Sequence, residues 1–128
     1  MDLYAENILD HYHHPHHKLP LPLGEGWGEG RVVREEKNVS CGDKLTVALL
    51  IEDNHLTNIA WTGEGCAISQ AAMSMLSDEL IGKSLTEINA LTPKTILALL
   101  NVPIGTRRMK CALLGLEAVK NAISMWSR

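Results

Sequence analysis

Cys41-Gly42-Asp43 puts a soft sulfur and a hard carboxylate two positions apart, with a glycine between them. Glycine permits a tight turn, so both side chains can face one object. Two further cysteines, Cys66 and Cys111, stand far along the chain. Three thiols and one acid make four potential ligands, the number a tetrahedral metal site uses. Thiolates select zinc, copper(I) or iron–sulfur clusters, and cluster ligation commonly uses four cysteines. The acid at Asp43 is harder and exchanges more readily than a thiolate, which suits a site that releases what it holds. Three buried, inert cysteines are the alternative that composition alone leaves open.

Each cysteine stands at a junction that would favour its reactive form. Cys41 precedes an alternating run from Lys44 to Ile51. Cys66 follows Gly63-Glu64-Gly65 and leads into Ile68, Ala71, Ala72, Met75 and Leu76, which recur at helical spacing. Cys66 is thus expected at or just before a helix N-terminus, where the macrodipole favours thiolate. Cys111 follows Arg107, Arg108 and Lys110 and is expected in or beside the first turn of a last helix. Those cations would also lower a thiol pKa.

The remaining elements must bring these positions together. Residues 2–12 read as an amphipathic helix with Leu3, Ile8 and Tyr12 near one stripe. Five of the six histidines follow in His11-Tyr12-His13-His14-Pro15-His16-His17. Pro15 breaks any regular display, so a polar loop is favoured over an accessory metal site. Residues 19–30 are dense in glycine and proline, predicting a loop tolerated at the surface, with Trp27 either anchoring it or exposed. Residues 31–36 read as a short edge strand. Residues 44–52 and 55–62 read as a β-hairpin turning at Asp53-Asn54, with Leu45, Val47, Leu49 and Ile51 on one face and Leu56, Ile59 and Trp61 apolar in the second strand. Ser84-Leu85-Thr86-Glu87 matches a capping box opening a short helix to Leu91. Thr92-Pro93 opens another, reaching Leu100. The last helix carries Leu116, Val119, Ile123 and Trp126 as its apolar stripe.

Composition bounds the rest. The 128 residues suit one domain, residues 1–128, and 45% hydrophobic content allows a real core. A net charge of −3 with 21% charged residues fits neither a disordered chain nor a general nucleic-acid binder. No apolar run has membrane-spanning length, and Met1-Asp2-Leu3-Tyr4-Ala5-Glu6 does not read as a signal peptide, so a cytoplasmic protein is expected. In a reducing compartment an odd, widely spaced set of cysteines points to metal or thiol chemistry rather than disulfides. A hydrolytic cysteine enzyme pairing Cys111 with a histidine fits poorly, because the histidines crowd near the N-terminus.

The ordered set Tyr4…Ile8-Leu9-Asp10-His11-Tyr12…Pro15, Asn38…Ser40-Cys41-Gly42-Asp43, Gly63-Glu64-Gly65-Cys66-Ala67-Ile68-Ser69 and Lys110-Cys111-Ala112-Leu113-Leu114 resembles the iron–sulfur scaffold family of IscU, SufU and the NifU N-terminal domain. The resemblance covers nearly the whole chain. It implies an α+β fold: a small, mostly antiparallel three-stranded sheet packed against several helices, with a metal site at one exposed end. It implies a scaffold, rather than an enzyme, that takes sulfur from a cysteine desulfurase, assembles a [2Fe–2S] cluster with iron, and hands it to apo-proteins. Cys41, Asp43, Cys66 and Cys111 match the family ligands, and Cys111 matches the usual persulfide acceptor.

Two departures shape the expectation. IscU proteins carry histidine directly before the third cysteine, where this chain has Lys110, and a Leu-Pro-Pro-Val-Lys chaperone motif, where it has Asn101-Val102-Pro103-Ile104-Gly105. Binding to the dedicated Hsp70-type chaperone is therefore not expected. Arg108, three before Cys111, resembles SufU, a zinc-binding sulfur acceptor. Yet only 44 residues lie between Cys66 and Cys111, close to the IscU spacing. A zinc-dependent sulfurtransferase is the second function the resemblance implies, with Zn2+ on the same residues.

Overall fold

The computed structural model describes residues 3–39 and 42–126, with side chains from residue 6 onward. Among the described residues, five α-helices and three strands follow the order α1 (Leu3–His13), β1 (Arg31–Asn38), β2 (Asp43–Glu52), β3 (His55–Glu64), α2 (Ala67–Leu80), α3 (Leu85–Asn89), α4 (Pro93–Leu100) and α5 (Thr106–Trp126). The strands form one antiparallel sheet in the order β1-β2-β3. This is the α+β arrangement expected.

Alternation along β2 sends Leu45, Val47, Leu49 and Ile51 to one buried face. Val47 pairs with Trp61 and Leu49 with Ile59. Leu56 sits three positions before Ile59, which strict alternation would place on opposite faces. The register shifts between Leu50 and Ile51, so Leu50 faces Asn58 while Ile51 faces Leu56. That bulge returns Leu56 to the core face, where it is buried with Ile59 and Trp61.

Helix α2 runs through the middle of the molecule, packed by α1, α4, α5 and β3. It is accordingly buried on nearly every side, Ser69, Gln70, Ser74 and Ser77 included. Met73 and Met75 are core residues. Local signals set the next helix starts. The Ser84 side chain accepts from the Glu87 N–H and the Glu87 carboxylate accepts from the Ser84 N–H, both at 3.1 Å. Pro93 occupies the first turn of α4.

The second face of the sheet is covered too. Val33, Ala48 and Ala60 form a row across the three strands. The two alanines leave a shallow recess that Leu23 fills, with Trp27 packed alongside. Arg31 Nε donates to the Leu23 carbonyl at 2.8 Å and holds the strap down. Residues 19–30 are thus a cover for the sheet, not a dispensable surface loop, and Trp27 helps anchor it.

Two apolar residues expected on helix stripes lie in the open. Tyr12 and Trp126 are exposed. Among the described residues, no helix is long and apolar enough to cross a membrane.

Candidate metal centre

Three of the four expected ligands converge from three separate elements. Asp43 is the first residue of β2, Cys66 is the N-cap of α2, and Cys111 lies in α5. One ligand atom from each lies within 4.8 Å of the other two. Tetrahedral zinc with Zn–S near 2.3 Å and Zn–O near 2.1 Å asks for ligand separations of about 3.5 to 3.8 Å. The triad therefore needs only a small contraction to hold an ion. Cys41, the fourth expected ligand, lies outside the described residues. Among those described, this is the grouping of acidic, histidine and cysteine side chains that could hold a metal.

The backbone explains the convergence. Asp43 ends the β1–β2 turn and is buried, although it is an acid. Its Oδ1 accepts the Cys66 N–H at 3.1 Å, and Cys66 Sγ lies 3.5 Å from its Oδ2. A carboxylate from the sheet thereby meets the positive end of α2. Gly65 makes the approach possible: a Cβ there would stand 2.5 Å from Asp43 Cγ, and its backbone has φ +152°. Cys66 is half-buried and Cys111 buried. A cavity of about 330 Å3 reaches Asp43 between Lys37, Lys44 and Glu64.

Helix α5 begins at Thr106, so Cys111 lies in its second turn, directly beside the first. The macrodipole acts mainly within the first turn, so it favours thiolate at Cys66 more than at Cys111. Arg108 is exposed on the first turn of α5, three residues from Cys111 and hence on a neighbouring part of the helix surface.

The histidine run has a structural role that its composition does not reveal. His16 Nδ1 and His17 Nε2 meet the two oxygens of Asp78 on α2 at 2.5 and 3.1 Å. The His16 N–H donates to buried Ser74 Oγ at 2.8 Å, and His11 Nδ1 shares a hydrogen bond with the same oxygen. Trp61 Nε1 donates to the His16 carbonyl at 2.8 Å. The Trp61 N–H then donates to His17 O, and the Leu19 N–H to Trp61 O, extending the sheet past β3. The segment clamps α1 and the sheet edge onto α2. Paired polar positions on a buried helix, Ser74 and Asp78, were the signal that could have pointed to it.

The NifU-like N-terminal domain model matches residues 3–128. The chain belongs to that family. As a NifU-like domain it is 28% identical to the iron–sulfur cluster assembly scaffold protein IscU of Thermotoga maritima, over 98% of this chain and 96% of that protein. It is 27% identical to the zinc-dependent sulfurtransferase SufU of Bacillus subtilis, over 95% of this chain and 90% of that one. A crystal structure from Fervidobacterium islandicum, named as a candidate iron–sulfur assembly scaffold for the SUF system, superposes with a TM-score of 0.72 at 25% identity, covering 92% of this chain and 94% of its own.

Proposed function

We propose that this NifU-like domain is a scaffold on which a [2Fe–2S] cluster is assembled and then handed to apo-proteins. The supporting observation is the meeting of Asp43, Cys66 and Cys111 within 4.8 Å, carried there by β2, α2 and α5. Cys41 completes the ligand set in this reading. The cluster is cargo, so the ligand set includes an acid that exchanges more readily than sulfur. A cysteine desulfurase supplies the sulfur, and a cytoplasmic location goes with that partnership.

In this reading Cys111 accepts the sulfur. Its thiolate attacks the outer sulfur of the desulfurase persulfide. A new S–S bond forms on Cys111, the old one breaks, and the desulfurase cysteine leaves as thiolate. Cys111 is only 4% exposed, so this transfer requires its surroundings to open when the partner docks.

A second reading is a zinc-dependent sulfurtransferase. The combination Arg108 and Lys110 before Cys111, and the likeness to SufU, favour it. Asp43, Cys66 and Cys111, with Cys41, would hold the zinc, which would keep the thiols ionised and ordered. Zinc in an aerobically purified sample does not decide between the readings, because it outcompetes Fe2+ for such ligands. Anaerobic reconstitution with iron, cysteine and a desulfurase does. A [2Fe–2S] absorption spectrum that passes to apo-ferredoxin supports the scaffold. Tight zinc, no cluster and strong stimulation of the desulfurase support the transferase and overturn the scaffold.

A further inference from the structure

We infer that Asp43 divides two duties between its oxygens: Oδ1 fastens the start of α2, and Oδ2 is the atom it offers to the site. This deepens the metal-centre reading and rests on it for the second duty only. Oδ1 accepts the Cys66 N–H at 3.1 Å. That amide opens α2, where intrahelical partners for N–H groups are lacking. Oδ2 accepts from Cys66 Sγ at 3.5 Å and so faces a sulfur of the triad. Both oxygens thus meet Cys66, one at its amide and one at its sulfur, so Asp43 and Cys66 are tied together without any metal. Cys111 reaches the same place from α5.

Gly65 is the positioning residue for this arrangement. Its missing side chain leaves room for the Asp43 carboxylate, whose Oδ1, Cγ and Cβ all lie within 3.0 Å of where a methyl group would stand. A side chain there would push the acid off the Cys66 amide while leaving every ligand chemically intact. No ligand assignment based on residue type would single Gly65 out.

The test separates the two duties with Asp43→Asn and Asp43→Ala. Asparagine keeps an oxygen acceptor of the same shape for the Cys66 N–H but removes the charged ligand atom. The first readout is hydrogen exchange at the Cys66 amide in metal-free protein. Loss of a hydrogen bond to a charged group predicts roughly tenfold faster exchange in Asp43→Ala, with at most about a twofold change in Asp43→Asn. The second readout is zinc affinity by competition with a chromophoric chelator, expected to fall at least about tenfold in both variants. Equal acceleration of exchange in Asn and Ala variants would overturn the tie, as would no acceleration in either. Unchanged zinc affinity in Asp43→Asn would overturn the duty of Oδ2. A wild-type chain that binds no zinc would instead sink the metal-centre reading, while the exchange measurement would still decide the tie.

Discussion

Asp43 Oδ1 accepts the backbone N–H of Cys66 at 3.1 Å, joining the first residue of β2 to the N-cap of α2. Two positions 23 apart in sequence thus become neighbours without any metal. Gly65 must stay small for that contact to exist. Gly65→Ala should destabilise the wild-type chain, from the clash and from the left-handed backbone at φ +152°. In an Asp43→Ala background only the backbone strain remains. A double-mutant cycle by urea unfolding should therefore show coupling of about 1 kcal/mol or more. Additive costs would mean the two residues do not press on each other.

The strap over the sheet makes a second prediction. Leu23 is buried in the recess of Ala48 and Ala60, whereas Leu21 is 66% exposed. Leu23→Ala should cost about 2 to 4 kcal/mol, and Leu21→Ala less than about 0.5 kcal/mol. Chemical denaturation checks both. Equal, small costs would mean that residues 19–30 are only a loop.

Within the histidine clamp, buried hydrogen bonds should outweigh surface ion pairs. Ser74→Ala leaves the part-buried His16 N–H without its acceptor and should cost about 1 to 3 kcal/mol. Asp78→Asn removes ion pairs whose acid is 44% exposed and should cost less than about 1 kcal/mol. The reverse order in denaturation midpoints would show that the ion pairs carry the clamp.

The same clamp predicts a pH dependence. Burial, and then the neighbouring His16, hold the His11 pKa below its ordinary 6.5, partly offset by Asp78 and Asp10. The folded protein thus binds a proton at His11 less readily than the unfolded chain. Its contribution to stability is full above about pH 7 and is lost as pH falls through 6.5 and below. His11→Gln should flatten this slope between about pH 7.5 and 5.5. An unaltered slope in unfolding free energy against pH would remove His11 from the account.

Much of this architecture is legible in the residues themselves, and the reason is locality. Ser84 with Glu87, and Pro93, mark helix starts because each signal acts within one turn. Cys66 is readable as a helix start because Gly65 precedes it and apolar spacing follows. The α2–sheet tie is not readable, since it depends on Asp43 meeting an amide from another element. Nor is the β2–β3 bulge, which hides in a three-residue step between Leu56 and Ile59. Composition marks residues 19–30 as irregular but says nothing of the recess at Ala48 and Ala60. Of the four ligands read from the chain, the structure brings Asp43, Cys66 and Cys111 together.

The claim that a single metal centre draws on β2, α2 and α5 is tested most directly by cobalt(II) titration under anaerobic conditions. One ion per chain should give intense thiolate-to-cobalt charge-transfer absorption. That absorption should weaken in both Cys66→Ala and Cys111→Ala, with affinity lower by about tenfold or more. It should also fade below about pH 6, well under the ordinary thiol pKa of about 8.5, as protons compete for the sulfurs. An unaltered spectrum and affinity after either substitution would contradict a shared centre.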